Sequence, residues 1–384
     1  MPVENVIIIM PYSEKPIGGR ETVAYNTVVG LSLNEGLLKE NGLFIEILSL
    51  SKRSPGFKRV AERVTVRRVP VFIGVNDLIM SLRLLQMKGK LDLLHDNDLY
   101  SCFFSCSSDI PVVYTLHSMF WKVKTMTRLP MLKLYHWYNI RKFFALYPRL
   151  RGFVAISRAI INELKSRGIY EENIPTSVIE NPVNVDLFKI PEREISDPPT
   201  IMYPALIRPL KNQLTLLRAI KLLREEGFRV NLELIGSIKD MKYYFKIRKF
   251  IKEEGLKDSV RIVPGVSYDT MVKYYARSDI VVVPSLQESF GMVVPEAMAA
   301  GRPIVASNIP AFREKIENRR DGILIDPKDP EDISEKIGNI INSYSLQRKI
   351  ARRAKRKAVN RWHPKIVARK LIGFYLEVSM EGNT

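Results

Sequence analysis

Short runs of branched apolar residues recur along the chain, separated by longer stretches with helical spacing. In the first half, Val6–Met10, Leu43–Leu48, Val64–Arg68, Ile110–Thr115 and Gly152–Ile156 read as strands, and Thr22 to Leu38 reads as a helix. Runs of this length, apolar at nearly every position and alternating with helices, predict βαβ units and a mostly parallel sheet. A second series begins at Thr200. Thr200–Tyr203, Asn231–Ile235, Ser259–Val263, Asp279–Val283 and Pro303–Ala306 read as strands, and Gln213 to Glu226 as a helix. From Asp329 onward the spacing is helical, over Asp329–Ser343, Leu346–Val359 and Pro364–Glu377.

Between the two series lies Ile190 to Thr200, with three prolines and four charged residues among eleven and no periodicity. That composition predicts a linker. The expected organisation is an α/β protein of two doubly wound domains, 1–190 and 200–360. A terminal segment, 361–384, carries a helix long enough to cross back onto the first domain. Two such domains in series predict an interdomain ligand cleft at the carboxyl ends of the strands.

Length and composition support this reading. A chain of 384 residues, 46% apolar, can bury two cores. The net charge of +19 implies an anionic partner: nucleic acid, a lipid surface or a phosphorylated small molecule. Cys102 and Cys106 are the only cysteines, and there are four histidines, so neither a disulfide scaffold nor a metal centre is expected. No run approaches the roughly 20 apolar residues that cross a bilayer. The opening run, Val6–Met10, is too short for a secretory signal. The expected location is the cytoplasm, free or on a membrane surface.

Candidate chemistry falls at strand ends. Gly18-Gly19-Arg20-Glu21 follows the first strand and precedes a helix, as a plain turn or as a cradle for an anion. It lacks the six-residue dinucleotide fingerprint, which disfavours a nicotinamide cofactor. The strand Asp279–Val283 runs into Pro284-Ser285-Leu286-Gln287-Glu288-Ser289-Phe290-Gly291, followed by a helix bearing Glu296. Carboxylates accept hydrogen bonds from vicinal diols, and free amides favour a diphosphate. The alternatives are a solvated loop carboxylate at Glu288 and a first-turn helix charge at Glu296. Arg208 and Lys211 sit in a turn after the strand Thr200–Tyr203, suited to a leaving diphosphate or simply solvated. His117 follows the strand Ile110–Thr115, and His95 and Asp96 end another short apolar stretch.

These residues resemble the retaining glycosyltransferases of family 4, which have the two-domain GT-B fold with Rossmann-like domains. The resemblance covers nearly the whole chain and is most specific at Glu288-Ser-Phe-Gly-Met-Val-Val-Pro-Glu296. It implies that Glu288 binds hydroxyls of the donor sugar and Glu296 the donor ribose. The amides around Phe290, Gly291 and Met292 would lie near sugar and phosphate. Gly18, Gly19 and Glu21 match the family's glycine-rich loop, His117 its histidine near the transferred sugar, and Gly236 and Gly265 its nucleotide-facing loops. Val154–Ser157 and Asn181–Asn184 match further signatures, the latter with Pro182 where glycine is usual. Lys211 matches the phosphate-binding lysine, but the arginine expected five residues earlier is Leu206, and Arg208 is the candidate replacement.

The resemblance implies transfer of a hexose from a UDP- or GDP-sugar with retention of configuration and no required cofactor or metal. The acceptor would be a glycan or a lipid-linked molecule. Ile110 to Asn162 contains no acidic residue, and eight lysines and arginines between Met119 and Arg151 are interleaved with aromatics, including Trp121, Trp137, Tyr138, Phe143 and Phe144. That composition fits an anionic membrane surface or the basic face of a core helix. Two other classes of function compete with this reading. The run Arg348 to Lys357 could contact nucleic acid, but no base-reading module accompanies it, so no nucleic-acid partner is expected. A non-catalytic sugar-nucleotide binder is the third class.

Overall fold

The computed structural model describes residues 3–51, 55–70, 76–97, 99, 109–117, 130–170 and 172–381. Cys102, Cys106 and the aromatic-basic stretch before Pro130 lie outside the described residues. The chain forms two units. Met1–Pro182 and Pro364–Thr384 make the first, and Val183–His363 the second.

The strands of the first unit are β1 (Asn5–Ile9), β2 (Phe44–Ser51), β3 (Gly56–Ala61), β4 (Val64–Pro70), β5 (Leu93–Asp96), β6 (Val112–Leu116), β7 (Leu150–Ala155) and β8 (Thr176–Val178). They form one sheet in the order β3-β4-β2-β1-β5-β6-β7-β8. Every pair is parallel except the edge pair β3–β4. The apolar runs are buried because helices supply partners on the sheet faces. The order reverses at β1, which lies between β2 and β5. Ligands of such sheets bind at the carboxyl ends beside the reversal.

The second unit repeats the plan with β9 (Thr200–Pro204), β10 (Asn231–Ile235), β11 (Val260–Val263), β12 (Ile280–Val283), β13 (Ile304–Ser307) and β14 (Ile323–Ile325). The sheet order is β11-β10-β9-β12-β13-β14, all parallel, with the reversal at β9. All four residues of β12 and of β13 are buried. The loops after β9 and β12 therefore emerge side by side.

Several details differ from the sequence reading. The helix expected over Thr22 to Leu38 is two helices, Gly19–Ser32 and Glu35–Glu40. Asn34 stands at the break, its Nδ2 donating to Gly30 O at 2.8 Å and Lys365 O at 2.9 Å. A short amide side chain that takes backbone carbonyls competes with the helix ladder. Strands β3, β8 and β14 were not read: the middle residues of β3 are exposed and polar, and β8 and β14 have three residues each, too few to show a pattern.

The segment expected to be a linker is fixed onto the second unit. Asp279, just before β12, accepts from Arg193 Nη2 at 2.6 Å, Ser196 Oγ at 2.5 Å and Thr200 N at 2.7 Å. One buried carboxylate thus organises the whole stretch, and the division between units falls upstream, at Pro182–Val183.

The helix Pro364–Glu381 belongs to the first unit. It packs on the helix Gly19–Ser32 and contributes Leu371, Ile372, Phe374, Tyr375 and Val378 to that unit's core.

Candidate functional site

In the second unit, the loop after β9 makes a 3-10 turn at Pro209–Lys211 and then a left-handed residue, Asn212, with φ 58°. Asparagine tolerates that conformation because its short polar side chain bonds locally. Here Asn212 Nδ2 donates to Pro284 O at 3.1 Å, tying this loop to the one after β12. Leu286 N donates to Leu210 O at 2.9 Å and closes the seam.

Across the seam, Lys211 Nζ donates to Glu288 Oε1 in a largely buried ion pair. Ser285 Oγ donates to the same oxygen at 2.9 Å. Tyr203 OH, at the end of β9, donates to Lys211 O at 2.8 Å and lies 2.9 Å from Ser285 Oγ. Burial beside Glu288 holds the Tyr203 phenol well above its ordinary range, so it stays a neutral donor. Leu206 occupies the position of the expected arginine. It carries no charge, and its carbonyl accepts from Gln213 Nε2 at 2.9 Å. Arg208 leaves its Nε buried with no hydrogen-bond partner. A buried donor without an acceptor costs free energy unless something supplies one, and an anion would.

Phe290 is 3% exposed, with Lys315 Nζ 3.9 Å from its ring centroid, so its side chain serves the core and only its backbone can face a ligand. Gly291 has φ +76°, and a Cβ there would lie 2.4 Å from Phe312 Cε1. Both facts require glycine. Met292 precedes the short helix Val293–Ala299, which carries Glu296. Glu296 is buried, and Tyr275 OH donates to its Oε2 at 3.0 Å. Burial raises its pKa to about 7, against the opposing effect of that hydrogen bond. Gly236 has a packing reason of its own, since a Cβ would lie 2.0 Å from Ala205 O.

In the first unit, the reversal at β1 gathers the turn before Gly19–Ser32, the end of β5 and the end of β6. Gly18 is extended, with φ −111° and ψ 154°, a conformation open to any residue. Backbone conformation therefore does not require glycine there, and a Cβ at Gly18 or Gly19 would meet nothing within 4 Å. Glu21 Oε2 accepts from Ile17 N at 3.1 Å and braces the turn. His117 Nε2 lies 2.9 Å from Asn97 Oδ1, a residue that sequence reasoning missed. The signal was a polar residue directly after β5, beside the reversal. His95 is a core residue, with Tyr375 OH and Thr115 Oγ1 each 2.6 Å from a ring nitrogen. Burial lowers its pKa to about 3.

A cavity of about 250 Å³ lies elsewhere in the second unit, lined by Arg193, Asp279, Arg302 and Arg348 at the amino ends of the strands. Its charges hold the 190–200 segment and cap a helix, and it is remote from the carboxyl-end loops. The basic run on the helix Tyr344–Trp362 is partly spent within the fold. Arg352 pairs with Glu192, Lys357 with Asp321, and Lys355 donates to Ile190 O at 2.9 Å. Among the described residues no cluster of three or more histidine, cysteine or carboxylate side chains could hold a metal, and no helix is long and apolar enough to cross a membrane.

Two parallel α/β units, each with polar residues gathered at its strand reversal, define a protein of the GT-B class. The family models agree. Residues 18–187 match the model described as Glycosyltransferase Family 4, and residues 186–357 the model described as Glycosyl transferases group 1. The chain belongs to the family 4, group 1 glycosyltransferases. A D-inositol 3-phosphate glycosyltransferase of Paenarthrobacter aurescens is 31% identical over 156 residues, which are 40% of this chain and 38% of that protein. Sucrose-phosphate synthase from Thermosynechococcus elongatus superposes with a TM-score of 0.77 at 16% identity, covering 98% of this chain and 99% of its own. The Anabaena protein HepE, solved in complex with UDP-glucose, gives 0.72 at 18% identity, covering 96% and 98%. At those identities the solved structures show the fold.

Proposed function

We propose that the protein transfers a hexose from a UDP- or GDP-sugar to a glycan or lipid-linked acceptor, with retention of configuration. The observation that carries this is the pairing of Lys211 with Glu288, which are 77 residues apart in sequence. One cation and one carboxylate stand at the carboxyl ends of β9 and β12, beside the strand reversal. On donor binding the diphosphate takes Lys211, and the orphaned Arg208 Nε gains an acceptor. Glu288, released from the lysine, accepts from sugar hydroxyls, while Glu296 takes the ribose diol.

As the anomeric bond breaks, charge grows on the departing phosphate. Lys211, Arg208 and the amides around Gly291 stabilise it, and the reading requires no cofactor. UDP as the nucleotide is supported by the complexed HepE structure. The test is a thermal-shift screen of sugar nucleotides, followed by turnover of labelled donor. A donor that raises the melting temperature and is consumed only with an acceptor present supports the reading. Failure of every sugar nucleotide to bind a folded sample ends it.

The acceptor side has support of its own. On the helix Pro130–Leu146, Trp137, Tyr138 and Phe144 are 41%, 40% and 48% exposed. Arg141 stacks 4.4 Å from the Trp137 ring centroid. Interfacial aromatics with basic groups suit an anionic membrane surface, where a lipid-linked acceptor would be found. Flotation with anionic vesicles at low salt, lost at high salt, is the expected result. No flotation at low salt removes the membrane part and leaves the transfer reading standing.

A further inference from the structure

Asn97 lies one residue beyond β5, and its backbone N–H donates to Ile9 O at 3.2 Å. Its side-chain Nδ2 donates to the same carbonyl at 3.1 Å. A carbonyl oxygen only accepts, so the amide nitrogen must face Ile9, and Oδ1 must take the other side. There Oδ1 meets His117 Nε2 at 2.9 Å. An amide oxygen has no proton to give. The contact is a hydrogen bond only when Nε2 carries the proton. One carbonyl of β1 therefore sets the amide, and the amide sets the imidazole.

His95 shows the contrast. Its two partners are hydroxyls, which donate or accept as needed, so they do not by themselves choose a tautomer. Asn97 has no such freedom. Among the described residues, Nδ1 of His117 has no partner, and it is the ring's one remaining acceptor. Among the described residues, the charged or titratable groups around the ring include Arg20, His95 and Glu180, the last two lining a small cavity with His117 and Asn97. Burial, then Arg20, lowers the His117 pKa to about 3, so the ring is neutral through the physiological range. A ring so hard to protonate is a poor base and a sound hydrogen-bond acceptor.

We propose that Asn97 is a positioning residue that locks His117 as the neutral Nε2–H tautomer, so that Nδ1 is left as the ring's acceptor toward a ligand hydroxyl. The identity of that hydroxyl rests on the glycosyl-transfer reading. The tautomer does not.

The experiment is imidazole nitrogen–proton correlation NMR on the whole 384-residue chain, histidine-labelled, with His117 assigned by the signal lost in His117→Ala. The expected spectrum shows protonated Nε2 and bare Nδ1, unchanged between pH 5 and about 9. In Asn97→Leu the ring should become a mixture of tautomers. Turnover should fall roughly two- to tenfold, the size of one hydrogen bond, while nucleotide binding to the second unit is unchanged. Asn97→Asp keeps an acceptor toward His117 and should restore the Nε2–H signal.

A wild-type ring that is Nδ1–H or mixed overturns the proposal, whether or not Asn97→Leu folds. So does an Asn97→Leu protein whose His117 keeps its single tautomer. If the expected tautomer is seen but no donor is turned over, the transfer reading fails and the positioning of the ring stands.

Discussion

At the scale of single residues, the site is a set of charges held by partners that a ligand would have to replace. Lys211 is paired with Glu288, whereas Arg208 keeps an unpartnered Nε in the same loop. Lys211→Ala should lower kcat/KM about 100-fold, the roughly 3 kcal/mol typical of one lost charge-stabilising donor. Arg208→Ala should lower it as well. If steady-state kinetics and donor binding are both unmoved in Arg208→Ala, the substitution of this arginine for the one missing at Leu206 is wrong. Glu296 makes a separate prediction, about stability. Its carboxyl is raised from 4.5 to about 7, so between these values the unfolded chain has lost the proton and the folded chain still holds it. The contribution of the protonated group is full below pH 4.5 and is lost as pH rises through about 7. Above that, burying the charge costs on the order of 3 kcal/mol. Glu296→Gln, which still accepts from Tyr275, should be more stable than wild type at pH 8. The two should converge near pH 4, as read by denaturant unfolding.

At the scale of elements, the glycines divide by physical cause. Gly291→Ala is strained by its φ of +76° and by Phe312, so it should cost at least about 1 to 3 kcal/mol and shift the 288–292 loop. Gly236→Ala sets a methyl against the Ala205 carbonyl, which is backbone and cannot rotate away, so the loops after β9 and β10 must separate. Gly18→Ala and Gly19→Ala meet nothing within 4 Å. Their melting temperatures should stay near that of wild type. A loss of transfer activity in either, at unchanged stability, would mark that loop as a ligand contact. Unchanged activity in both would mark it as a plain turn.

At the scale of the whole molecule, the chain leaves the first unit at Pro182 and returns to it at Pro364. The returning helix supplies Leu371, Ile372, Phe374, Tyr375 and Val378, all at most 6% exposed. At roughly 1.5 to 3 kcal/mol per buried large side chain, these five contribute on the order of 10 kcal/mol. That is comparable with the whole stability of a domain. Deletion of residues 364–384 should therefore leave the first unit unable to fold stably, with the near-ultraviolet signal of its aromatic core lost. A soluble, cooperatively melting deletion would contradict this account of its core.

Most strands of both sheets, the class of fold and the loops after β9 and β12 were legible in sequence because parallel strands buried on both faces must be short, branched and apolar, whereas β3, β8 and β14 were not. Asn231–Ile235 is found at the residues read for it, and most other strands and the late helices lie within a few residues of theirs. The sequence could not show partners set by the third dimension. Asp279 turns a proline-rich segment into part of a domain, Asn34 bonds to Lys365 O at the break of a helix that spacing alone would continue, and Asn97 meets His117 from the loop after β5. In each case one polar side chain bonds to groups distant in sequence, and periodicity reports only burial along a single element. Sequence fixes which residues must be inside, and the folded arrangement decides which polar atoms they meet there.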